Sequence, residues 1–261
     1  MRYRRIPRDT RVQELGRRIE LRGGSTAVLV LHGWTGWPGR LAYLAGRLND
    51  AGFTVSVPRL PGHGTNVRDM LQTRAEDWVR CAVDEYLDLC DRHERVFVVG
   101  TSMGALLASM LAAHFGIERV ALLAPAFTSR NRLILLAPFV TRIVPRIRGD
   151  WREEQETDPR AVALAREYST YNYTRMAAEL LKLQRVGRRI LPRLTAETLV
   201  VVSTADPAVP QSVVKLIESR SHARRFEPVV VERSNHQLAE HVDRDTVAGA
   251  VVDWFTRDAT N

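Results

Sequence analysis

Three side chains far apart in this chain of 261 residues have the types and surroundings to act as a nucleophile, a base and an acid: Ser102, His236 and Asp206. Ser102 lies in Gly100-Thr101-Ser102-Met103-Gly104, between the apolar run Val96-Phe97-Val98-Val99 and the Ala- and Leu-rich segment from Ala105 to Phe115. A serine between a strand and a helix, with glycine two places to either side, sits on a turn too tight for ordinary side chains. That turn exposes its hydroxyl as a nucleophile. The five-residue pattern alone is common as a plain turn, so the strand before it and the helix after it supply the context the chemistry requires.

A serine hydroxyl is a poor nucleophile until a base takes its proton, and histidine is the usual base. His93, His114, His222 and His241 fall inside or at the ends of predicted helices, and His32 and His63 lie in Gly-rich loops near the start. His236 differs. It stands in Glu232-Arg233-Ser234-Asn235-His236-Gln237, a loop leaving the last predicted strand, and in open α/β sheets catalytic groups gather beyond the carboxyl ends of the strands. Asp206 follows the preceding strand and reaches the same edge, where a carboxylate holds the imidazole tautomer and stabilises the imidazolium that forms. An aspartate there is equally suited to cap the helix beginning near Pro210. The chain order serine, aspartate, histidine is that expected of an elbow serine on such a sheet, not that of the chymotrypsin or subtilisin classes. A tetrahedral intermediate also needs backbone N–H donors. Met103, directly after the serine, supplies one, and Trp34, in the loop Leu31-His32-Gly33-Trp34-Thr35-Gly36, supplies the other.

The elements that must position these groups alternate along the chain. Thr26–Leu31, Phe53–Val57, Val96–Val99, Val120–Ala124, Thr198–Val202 and Pro228–Val231 read as short buried strands, separated by segments of helical period. That alternation is the signature of a parallel sheet with helices on its faces. Thr73-Arg74-Ala75-Glu76 reads as a capping box, and Leu238, Val242, Val252 and Phe255 fall near one face of a closing helix. From about 126 to 194 no convincing strand is found, only apolar and arginine-rich helical stretches broken by Pro138, Pro145, Gly149, Pro159 and Pro192. A segment of that length between core strands is expected to be a folded lid, because long structureless loops are uncommon in compact domains. Within it, Leu133, Ile134, Leu135, Leu136, Phe139, Val140, Tyr168, Tyr171 and Tyr173 either line an apolar acyl pocket or cement the lid to the core.

His32-Gly33-Trp34, Pro61-Gly62-His63-Gly64, Gly100 to Gly104, Asp206 and Ser234-Asn235-His236 together resemble the α/β-hydrolase superfamily, and within it the small bacterial carboxylesterases and monoacylglycerol lipases. The resemblance covers roughly Thr26 to Phe255. It implies a mostly parallel central sheet with helices on both faces and a helical lid, over 126–194, inserted after the sixth core strand of a single domain. It further implies Ser102, Asp206 and His236 as catalytic triad, Trp34 and Met103 as oxyanion donors, His63 as structural, and no metal or organic cofactor. The expected activity is hydrolysis of short- to medium-chain carboxylic esters through an acyl-enzyme on Ser102, with monoacylglycerol lipase or lysophospholipase as the alternative. A lyase, a cofactor-free peroxidase or a non-catalytic binder on the same fold is more remote. Two positions depart from the family pattern: Ala105 and Ser203 stand where glycine is common.

Composition sets the outer limits. With 45% hydrophobic and 26% charged residues the chain has the make-up of an ordinary globular protein. Its net charge of +8 is almost all arginine, because Lys182 and Lys215 are the only lysines, and the densest groups are Arg2-Arg4-Arg5-Arg8 and Arg185-Arg188-Arg189-Arg193. No helix-turn-helix, zinc-finger or aromatic RNA-binding signature accompanies them, so a solvated surface is expected and nucleic acid is not. Cys81 and Cys90 share one predicted helix about two and a half turns apart, too far to bridge. The run Leu133 to Val140 is well short of the roughly 20 residues a bilayer span needs, so stable membrane insertion is excluded. The N-terminus lacks the apolar stretch of a secretory signal, which leaves the cytoplasm as the expected location. The ester substrate is expected to be a small molecule, and no feature assigns an oligomeric state.

Overall fold

The computed structural model describes residues 10–149, 156 and 158–257. Its elements in chain order are β1 (Ile19–Leu21), β2 (Thr26–Leu31), α1 (Ala42–Asp50), β3 (Thr54–Val57), α2 (Val67–Met70), α3 (Ala75–Cys90), β4 (Arg95–Thr101), α4 (Met103–Phe115) and β5 (Arg119–Leu123). There follow α5 (Ala137–Val140), β6 (Arg146–Arg148), α6 (Pro159–Ser169), β7 (Tyr171–Tyr173), α7 (Thr174–Ile190), β8 (Glu197–Ser203), α8 (Ser212–Arg220), β9 (Phe226–Val231) and α9 (Arg244–Thr256). The main sheet runs β1-β3-β2-β4-β5-β8-β9, parallel throughout except where β1 pairs antiparallel with β3 at one edge.

Strand periodicity divides the core in two. Ala27, Leu29, Leu31, Val96 and Val98 face one side with Trp78, Leu106, Leu164, Tyr168 and Met176. Val28, Val30, Phe97 and Val99 face the other, against Leu44 and Leu48 of α1 and Val251, Trp254 and Phe255 of α9. Helices therefore cover both faces, which is why the strands read as nearly continuous apolar runs. The strand order explains the position of the site. From β2 the chain passes outward to β3, whereas from β4 it passes the other way to β5. The loops leaving β2 and β4 thus part above a crevice, the place where doubly wound sheets bind ligands.

Several expectations change in detail. Among the described residues the insertion follows the fifth strand in chain order, not the sixth. The sequence pattern shows four strands before it, and the short Ile19–Leu21 edge strand is the only addition. The insertion also holds a two-stranded ribbon, β6 with β7, whose three-residue strands are too short to show a period. The box at α3 sits one residue later than expected: the Asp77 carboxylate accepts from the Arg74 amide at 2.8 Å, while the Thr73 hydroxyl turns back to the Met70 carbonyl. Leu238 and Val242 precede α9, and Val242 is exposed. Cys81 and Cys90 lie on α3 as unpaired thiols. The Arg2 to Arg8 cluster lies outside the described residues.

Candidate active site

Ser102 has φ 55° and ψ −113°, a positive-φ conformation outside the regions ordinary for a residue with a side chain. Two glycines make room for it. A Cβ on Gly100 would stand 2.2 Å from the Gly104 carbonyl oxygen, and one on Gly104 would stand 2.0 Å from that of Leu31. The Ser102 amide is anchored on the Leu123 carbonyl at 2.8 Å and its own carbonyl accepts from Ala105 and Ala126. The turn is held on every side, so the strain is over-determined by its surroundings.

The hydroxyl meets the expected histidine. His236 Nε2 lies 2.8 Å from Ser102 Oγ, and His236 Nδ1 lies 2.8 Å from Asp206 Oδ2. The Asp206 carboxyl is almost fully covered, its other oxygen accepting from the amides of Ala208 and Val209. Burial alone pushes that carboxyl up, but the hydrogen bond and charge of His236 and the two amides outweigh it and hold it below the ordinary value. The carboxylate thus contacts the imidazole and closes the turn ahead of α8, but it does not cap that helix, which begins at Ser212 with Gln211 at its N-cap.

Gly33 brings the second loop against the serine, since a Cβ there would lie 3.1 Å from that of Ser102. Trp34 follows it and Met103 opens α4, so both expected donors adjoin Ser102. Neither amide donates to another group among the described residues. Ser102, His236, the loop from His32 to Gly36, Arg40, Gln237 and Ser169 surround a cleft with a cavity volume of about 130 Å³.

A model of the alpha/beta hydrolase family matches residues 28–250. The chain belongs to that family. Its similarity to a thermostable monoacylglycerol lipase of Bacillus sp. (strain H-257) is 29% identity over 246 residues, 90% of this chain and 92% of the relative. A carboxylesterase of Bacillus subtilis (strain 168) is 34% identical over 91 residues, 34% of this chain and 37% of the other. Among solved structures, one from work on the metagenome-derived lipolytic enzymes LipS and LipT superposes with a TM-score of 0.83 at 24% identity, covering 93% of this chain and 98% of that one. The monoacylglycerol lipase of Paleococcus ferrophilus superposes at 0.72 with 20% identity, covering 91% and 96%. These likenesses in structure show the fold.

As a member of the alpha/beta hydrolase family, the chain handles its departures from the pattern locally. Ser203 joins the two loops that carry the acid and the histidine: its hydroxyl donates to the Ser234 carbonyl and accepts from the Ala205 amide at 3.1 Å. Ala105 is fully buried and needs no more space than it has. Two residues with structural parts in the site escaped the sequence reading. Arg40 stacks on Trp37 at 3.9 Å and bonds Gln237, Glu240 and Glu156, tying the histidine loop to the insertion. His32 fixes the Gly33 loop from beneath. Its Nε2 accepts from the Leu60 amide at 3.1 Å, which leaves Nδ1 to donate to the Gly33 carbonyl. Only such spatial contacts, across 28 and about 200 residues, reveal these two parts.

His32 and His63 are both buried, their rings edge to face at 5.0 Å. Burial, reinforced by its neighbour His63, lowers the pKa of His32 to about 3, and burial lowers that of His63 to about 4. Both are therefore neutral when folded, whereas unfolding frees them to take protons near pH 6.5. Stability is full above that pH and falls as the pH drops from 6.5 toward 4, by up to about 1.4 kcal/mol per pH unit for each imidazole. Urea unfolding at pH 7 to 4.5 should show that slope, and His63→Phe should remove about half of the histidine share. An unchanged slope in the variant would contradict the buried neutral pair.

The insertion's apolar residues divide. Tyr168 cements, its hydroxyl accepting from the Thr65 amide and donating to the Gly62 carbonyl, and Ile134 and Tyr173 pack on the core. Leu133, Leu135, Leu136 and Phe139 do neither, because they point to solvent. Of the insertion, only Ser169 lines the cleft among the described residues.

Proposed function

We propose that this chain is a serine carboxylesterase working through an acyl-enzyme on Ser102. The observation that carries it is the unbroken relay from Asp206 through His236 to an elbow serine, two 2.8 Å contacts opening on a cleft. His236 Nε2 takes the proton as Ser102 Oγ forms a bond to the ester carbonyl carbon, and the carbonyl π pair moves onto oxygen. The amides of Trp34 and Met103 hold that oxyanion. Its collapse breaks the bond to the alcohol oxygen, which leaves with the proton from His236. Water, deprotonated by the same imidazole, repeats the addition and frees the acid and the serine.

The residues from 126 to 194 act as the cap over this site, linked to it by Arg40 and Ser169. A cavity of about 130 Å³ is the size that holds one small ring, which favours short to medium acyl groups. The small-molecule ester is the only partner the reaction needs. The exposed Cys90 thiol suits a reducing cytoplasm. A second reading, monoacylglycerol lipase, is favoured by the relative matched over 90% of the chain. Turnover of p-nitrophenyl esters of increasing acyl length, beside 1-monoacylglycerols, separates the two. The carboxylesterase reading expects kcat/KM to peak at short chains and to fall as the chain outgrows the cleft. A maximum on long-chain monoacylglycerol would replace it with the second reading, and turnover of none of these esters would end both.

A further inference from the structure

Seven of the twelve large apolar side chains exposed among the described residues fall between Leu133 and Ile147. Their exposure is high: Leu133 65%, Phe139 77% and Ile143 83%. The local structure turns them outward. The 3-10 helix Arg132–Leu136 buries no residue, α5 buries Ala137 alone, and β6 is exposed throughout. The 3-10 helix and α5 rest on α7 and β6 pairs with β7, and all three give their remaining surface to solvent, an arrangement that soluble monomers avoid unless something covers it.

Charge says what covers it. From Ala126 to Gly149 the sequence has no Asp or Glu, but it has Arg130, Arg132, Arg142, Arg146 and Arg148. None of the five forms an ion pair among the described residues. Apolar side chains that bury a few ångströms deep, interleaved with exposed arginines, match the boundary of an anionic bilayer, whose headgroups take the charge while acyl chains take the apolar tips. A second protein copy would bring the same arginines face to face, which disfavours self-association.

We propose that the segment from Arg130 to Arg148 is a peripheral docking surface for anionic phospholipid membranes. It is anchored beside the catalytic machinery. The Arg130 amide donates to the Ala208 carbonyl and its Nε donates to the Asp206 carbonyl, each at 2.9 Å. Docking therefore brings the rim of the cleft to the lipid surface, where amphiphilic esters concentrate. No helix among the described residues is long and apolar enough to cross a membrane, so the attachment is reversible and lies in the interface.

The test uses the full chain carrying Ser102→Ala, so that binding is read without turnover and independently of the esterase reading. Co-sedimentation is measured with phosphatidylcholine vesicles with and without phosphatidylglycerol, at low and high salt. Binding is expected on the mixed vesicles at low salt, about tenfold or more above pure phosphatidylcholine or high salt. Phe139→Asp with Ile143→Asp should abolish it, and Arg132→Glu with Arg142→Glu should weaken it about thirtyfold or more. The same changes with Ser102 retained should leave turnover of a water-soluble ester unchanged, because none of the four lines the cleft. Absence of binding, or equal binding to neutral and anionic vesicles, overturns the proposal. So does a dimer in sedimentation equilibrium that Phe139→Asp dissociates, which would assign the face to a second copy.

Discussion

Ser102→Ala should lower ester turnover by about four to six orders of magnitude and abolish labelling by a fluorophosphonate probe, while the chain unfolds at the temperature of the parent. The two losses share one cause. The probe, like the ester, needs an oxygen that loses its proton as it bonds, and Ser102 Oγ is the hydroxyl held 2.8 Å from His236 Nε2. His236→Ala should cost nearly as much, because nucleophile and base act as a unit and their losses do not add. No neighbouring histidine is placed to substitute. Both ring nitrogens of His32 are engaged by backbone groups of Leu60 and Gly33, and His241 Nδ1 faces the Asn235 amide. Labelling that persists in Ser102→Ala would assign the nucleophile elsewhere, and near-normal turnover in His236→Ala would do the same for the base.

The grouping of these residues was legible in the sequence because each part of it is local. The elbow needs glycine at two fixed offsets, and both loops that bear the acid and the base leave strands at one end, so reading the strands places them on one rim. What tied the loops together was not legible. Ser203 replaces a glycine common in the family and looks neutral, yet its hydroxyl spans from the acid loop to the Ser234 carbonyl. Arg40 carries no local signal, and only the fold places it against Glu240 and Glu156. The edge strand Ile19–Leu21 is too short for a period to show, so the insertion was counted from the family's strands. The outward turn of Leu133 and Phe139 escaped for a different reason. An apolar run in a sequence signals burial by default, and what covers it is decided by neighbours that the sequence does not order.

Gly104→Ala should both destabilise the protein and impair turnover, although it adds a single methyl group. The new Cβ would lie 2.0 Å from the Leu31 carbonyl oxygen, 2.6 Å from its carbon and 2.8 Å from the His32 carbonyl oxygen. All three are backbone atoms at the end of β2 and in the loop beyond it, so no flexible side chain can swing aside. Either α4 lifts from the sheet or the end of β2 retreats, at a cost of about 3 kcal/mol or more. Retreat of that loop also carries the Trp34 amide away from the Met103 amide, which precedes residue 104 on the same helix. A displacement of about 1 Å between these two proposed donors is enough to lose about a hundredfold in kcat. Gly46→Ala is the matched control, because Gly46 lies inside α1 with nothing within 4 Å of the added Cβ. There the methyl group should stabilise by about 0.5–1 kcal/mol through helix propensity and leave turnover alone. Urea unfolding and short-ester kinetics on the two variants read both effects. Opposite signs in stability, with kcat lost only at position 104, are the expected result, and parent-like behaviour of Gly104→Ala would mean that β2 and α4 do not meet as closely as the elbow requires.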